Sequence, residues 1–134
     1  MRLVVLVIAS ALVLAVPASA APIRATLKTT TPAPTVDQAW RYTVKVTSAT
    51  GMPLFARMKL QLLLGPTVVG CWKDGSMTQC FNPAEGEWIT FRGKHAGVLR
   101  FPAESVGAKL TFQATVKADR QIRKLRAPLT VQPA

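Results

Sequence analysis

The chain has 134 residues, with 17 Lys and Arg against six Asp and Glu, for a formal net charge of +11. One histidine and two cysteines leave no donor set for a multi-ligand His/Cys cluster and little from which to build a catalytic triad. The excess of cations points to polyanions as partners, without selecting among anionic lipids, cell-wall polymers and nucleic acid.

The first twenty residues, MRLVVLVIASALVLAVPASA, place Arg2 before an apolar run from Leu3 to Val16, then Pro17 and the small-residue site Ala18-Ser19-Ala20. That is the layout of a cleavable secretory signal peptide spanning residues 1–20; the competing reading, a retained anchor, lacks a reason for Pro17 and the A-x-A site. Cleavage leaves residues 21–134 as one domain carrying 16 cations against six acids. The exported protein is then secreted or periplasmic, and no later segment is apolar enough to span a bilayer.

After a short candidate strand at 23–28, TTTPAPT (29–35) predicts a kink in the first strand region and not an interdomain linker. WRYTVKVT (40–47) alternates Trp40, Tyr42, Val44 and Val46 with Arg41, Thr43, Lys45 and Thr47, the period of a half-buried strand. Past a TGMP turn, ARMKLQLLL repeats the pattern, with Met58, Leu60, Leu62 and Leu64 expected inward and Arg57, Lys59 and Gln61 outward. Shorter strands are expected at 67–72, 88–92 and 98–101, with LGP, NPAEG and RGKHAG (92–97) as turns between elements. KLTFQATVKA (109–118) alternates most cleanly, and a last strand is expected over 125–131 after the ADRQ turn.

About seven short alternating strands predict an all-β antiparallel sandwich; a small closed barrel is the alternative. The succession of a strand, TGMPL, an alternating strand, GEW, FPAES, GAKLTFQATVK and a closing basic strand resembles the small secreted immunoglobulin-like domains of bacterial envelope proteins. The resemblance covers nearly all of 21–134 and implies a non-catalytic module for adhesion, spacing or ligand presentation. The chain departs from the antibody pattern in lacking an inter-sheet cysteine pair, and Phe112 stands where a tyrosine corner requires a hydroxyl.

Every acid (Asp37, Asp74, Glu85, Glu87, Glu104, Asp119) falls in or beside a predicted turn, whereas outward strand positions are Lys, Arg, Thr or Gln. With the resembled sheet arrangement, one face would carry Arg57, Lys59, Lys109, Lys117, Lys124 and Arg126 with no opposing acid, and the other sheet Arg24, Lys28, Arg41, Lys45 and Arg100. The plain reading is a solubilising surface; the sharper one is a face for anionic cell-envelope polymers or another envelope protein. Nucleic acid is the least attractive partner because export removes the chain from it.

No nucleophile–base constellation is evident, so no enzyme and no cofactor are expected. A periplasmic metal or small-ligand carrier is the alternative function, but Met52, Met58 and Met77 are scattered and His95 lies alone among cations. Cys71 and Cys80, with eight residues between them around Lys-Asp-Gly-Ser, are too far apart for a thioredoxin-like pair and are expected to form a local disulfide across a hairpin. An Asp74-Gly75 loop would face Cys71 with Thr78. A Gly75-Ser76 loop, or a four-residue loop, would face Cys71 with Cys80 and is therefore expected. The tip (Trp72, Lys73, Asp74, Met77) is the candidate contact loop.

Overall fold

A computed structural model describes residues 21–134; the predicted signal peptide, 1–20, lies outside the described residues. The chain forms nine strands: β1 (Arg24–Thr29), β2 (Trp40–Thr47), β3 (Phe55–Leu64), β4 (Thr67–Lys73), β5 (Ser76–Gln79), β6 (Trp88–Arg92), β7 (Lys94–Leu99), β8 (Lys109–Ala118) and β9 (Gln121–Thr130). One sheet has the order β1-β2-β7; the other has the order β5-β4-β3-β8-β9, with β6 also paired to β3. All strand pairings within the two sheets are antiparallel.

The sheets close on side chains that the alternation places inward. Trp40, Tyr42, Val44 and Val46 of β2 face Met58, Leu60 and Leu62 of β3 and Phe112, Ala114 and Val116 of β8 in one buried cluster. Trp40 sits edge-on against Phe112 (5.3 Å) and Phe101 (5.7 Å), a favoured aromatic geometry, and its indole N–H donates to the Thr31 carbonyl at 2.7 Å. The TTTPAPT stretch stays packed on the domain as a kink: Thr35 bridges Gln132 in parallel and Pro34 is buried.

Three expectations need correction and one needs completing. The count is nine strands because 67–79 is a full hairpin and 94–99 is a strand. RGKHAG is thus not a loop; Gly93 alone makes the turn, at φ 73°, where a Cβ would press on Pro53 at 2.8 Å. Leu64, expected inward, is 52% exposed, because it ends β3 at the Gly65 turn and the alternation outruns the core. Gln61 does face outward but is buried, since a loop covers it as described below. Finally, the β4–β5 turn is Asp74-Gly75, with Lys73 facing Ser76 and Cys71 facing Thr78. Both turn residues have positive φ, 49° and 81°, which is what a two-residue I′-type hairpin requires.

Candidate functional site

The Cys71–Cys80 disulfide forms despite that register, with Cα atoms 5.7 Å apart. Cys80 lies one step beyond β5, its N–H donating to the Val69 carbonyl at 3.2 Å, so the bridge joins a diagonal pair on one face of the hairpin instead of a directly facing one. β4 carries a bulge: Leu62 faces Gly70 while Leu63 faces Val68, leaving Val69 over. The extra residue puts Val68 on the same side as Cys71, and with Cys80 and Leu63 they make a small apolar cluster separate from the main core.

By alternation along β3, β4 and β8, this cluster sits on the outer face of the larger sheet. From Cys80 the chain runs back over that face through residues 81–87. The Gln61 amide donates to the Pro83 carbonyl (2.9 Å), Lys59 Nζ to the Ala84 carbonyl (3.3 Å), and the Glu87 N–H to the Trp72 carbonyl (2.8 Å). A polar ladder continues across the strands: Gln113 Nε2 donates to Gln61 Oε1 (3.4 Å), and Arg126 Nε donates to Gln113 Oε1 (2.9 Å). These bonds satisfy the two buried glutamines and hold the Arg126 guanidinium by its Nε.

Beside the ladder lies the basic field. Register places Trp88, Lys59, Thr115 and Lys124 in one row across β6, β3, β8 and β9, and Thr90, Arg57, Lys117 and Ile122 in the next. The Trp88 ring is shared by three cations, Lys117 Nζ at 4.7 Å, Lys59 Nζ at 5.0 Å and the Arg57 guanidinium at 5.3 Å from its centroid. Phe55, 70% exposed, faces Arg92, whose guanidinium stands 5.1 Å from the phenyl centroid. Arg57 and Lys117 face each other directly, an arrangement that repels unless an anion or a ring quadrupole intervenes. The one ion pair among the described residues, Lys73–Glu85 at 3.7 Å, lies at the hairpin and leaves this field uncompensated.

All six expected cations therefore project from one sheet face, five of them grouped and Lys109 eight residues along β8 from Lys117, roughly 27 Å away at strand rise. The candidate contact loop divides. Trp72 and Met77 face each other and are half-buried against the main core, while Asp74 is exposed at the tip and Lys73 pairs with Glu85. From the sequence alone Trp88 stands undecided between core and surface, and Phe55 is not singled out. The signal was present, since inward Ile89 and Phe91 force Trp88, Thr90 and Arg92 outward, but a large aromatic is assigned to a core by default.

His95 points inward from β7, with Nε2 3.3 Å from the Tyr42 hydroxyl and its ring 5.9 Å from Phe91. Burial pushes the Tyr42 phenol up to about 12 and holds His95 below its ordinary 6.5. Among the described residues no three His, Cys, Asp or Glu side chains come together as a metal set, and no helix is long and apolar enough to cross a membrane.

These features define an all-β domain of two antiparallel sheets, sandwich-like, with a basic and aromatic outer face on the larger sheet. No protein-family pattern matches the chain, and no curated protein sequence is similar to it.

Proposed function

We propose that this is an exported, non-catalytic, immunoglobulin-like module that attaches to an anionic component of the cell envelope through the outer face of its larger sheet. The strand order supports the immunoglobulin-like part: the first, second and seventh strands form one sheet, and the third and the last two form the centre and one side of the other. The signal-like N-terminus supports export. The observation that carries the binding role is the cluster of Arg57, Lys59 and Lys117 around one indole with no acid facing them from the neighbouring strands. Like charges on adjacent strands cost stability, and a bound polyanion removes that cost. The carrier alternative has less support, since His95 is engaged by Tyr42, Met58 is fully buried and Met77 packs against Gly70.

Co-sedimentation with purified envelope material tests the role. Raising ionic strength from about 0.1 M to about 1 M, which shortens the Debye length from about 10 Å to about 3 Å, should release the protein. Lys59→Glu with Lys117→Glu should abolish binding, and Lys28→Glu with Lys45→Glu on the smaller sheet should spare most of it. Binding that ignores both salt and the first pair of substitutions refutes the role.

A further inference from the structure

We infer that the anionic partner is a lipid bilayer surface, against which the larger sheet lies with Phe55, Trp88 and Ile122 seated at headgroup level. The inference rests on the polyanion reading above and narrows it. Its basis is the placement of exposed apolar side chains. Phe55 (70% exposed), Ile122 (56%) and Trp88 (36%) all project from the face that carries the cations. Each is matched in register with a cation: Phe55 with Arg92, Trp88 with Lys59, Ile122 with Lys117. Arg57 stands among them, one alternation step from Phe55 and directly across from Lys117.

A hydrophilic anionic polymer uses the cations but gains nothing from a bare phenyl and a bare isoleucine. A bilayer surface uses both: ammonium and guanidinium groups meet lipid phosphates while aromatic and aliphatic groups enter the boundary between headgroups and acyl chains. Indole suits that boundary because it is apolar over most of its surface and polar at its N–H. A second copy of the chain is a poor occupant, because it would set this positive field against itself.

The β8–β9 turn adds an independent observation. Arg120 holds φ 62°, a conformation that favours glycine, so an arginine there is kept at a conformational cost. It lines an open groove of about 350 Å³ together with Phe55, Arg57, Thr90, Lys117 and Asp119. Three cations against one carboxylate leave that groove electropositive, and its position beside Phe55 suits a lipid phosphate whose chains continue past the phenyl.

The test uses protein secreted by an expressing cell, mixed with phosphatidylcholine vesicles with and without phosphatidylglycerol, and separately with dextran sulfate. Phe55→Ser with Ile122→Ser alters only exposed positions, and thermal melting checks that the fold is retained. The wild type should bind the phosphatidylglycerol vesicles; the double variant should bind them about tenfold more weakly and keep its affinity for dextran sulfate. Lys59→Glu with Lys117→Glu should lose both ligands, at about fivefold per charge on the vesicles. The emission difference between wild type and Trp88→Phe should shift to shorter wavelength on vesicles alone. If Phe55→Ser with Ile122→Ser binds vesicles as the wild type does, the lipid inference falls and the polyanion reading survives. If the wild type binds neither ligand, both fall.

Discussion

Tyr42 is the only tyrosine in the chain, and its surroundings explain both a glycine and a histidine. β7 brings Gly97 directly opposite Tyr42, and a Cβ at Gly97 would overlap the phenol. Gly97→Ala should therefore cost about 2 to 3 kcal/mol, measured by chemical denaturation, because the buried ring, packed beside Phe112 and His95, must shift to admit the methyl group. Ultraviolet titration should show the single tyrosinate forming at about 12 and not near 10. The unfolded chain ionises first, so the corresponding stability is full below pH 10 and declines as pH rises from 10 toward about 12. His95 has the opposite sense. Burial lowers its folded pKa, so its contribution is complete above pH 6.5 and is lost as pH falls through 6.5 toward the folded value. Denaturation midpoints taken from pH 8 down to about pH 5 should fall on the acid side, and His95→Gln should flatten that limb.

The stapled hairpin shows how a correct element can conceal a wrong register. The spacing of Cys71 and Cys80 was enough to predict a disulfide, and the disulfide is there. What spacing could not decide was whether the cysteines face each other or sit one step apart on the same side. Asp74-Gly75 takes the turn because both positions hold positive φ, and Cys80 then reaches Cys71 diagonally. Similarly, the lysine and glycines of RGKHAG resemble a loop, yet Gly93 makes the turn by itself and β7 begins at Lys94. The disulfide's role is local: it holds the start of the 81–87 segment that crosses the outer face. Reduction should lower stability by about 2.5 kcal/mol on the loop-entropy account. Hydrogen exchange should speed at Glu85 and Glu87, whose N–H groups donate to the Asn82 and Trp72 carbonyls, while β2 and β8 stay protected. At the other hairpin, replacing Asp119-Arg120 by Asn-Gly should raise stability by about 1 kcal/mol, since both native residues hold positive φ.

For the molecule as a whole, period-two alternation in 40–47, 56–62 and 109–118 was sufficient to find the centre of the core, because the large apolar side chains of each of those strands lie on one side. The same alternation assigned the cations to outer faces. Phe55 shares the face of Arg57 by standing two residues before it in β3, but alternation could not show that Trp88 and Arg92 join it, because that depends on β6 pairing with β3, a contact between residues about thirty positions apart in the chain. Nor could it rank the two basic faces. The smaller sheet also presents Arg24, Lys28, Arg41 and Lys45 outward, with Lys94 facing Lys45. Only the larger sheet combines cations with exposed aromatic rings, and that difference is the reason for assigning attachment to it. The most direct check is chemical-shift mapping of the backbone amides during titration with short-chain phosphatidylglycerol. The account predicts shifts concentrated in 55–59, 88–92 and 115–126; shifts concentrated in β1, β2 and β7, or spread evenly over both sheets, would contradict it.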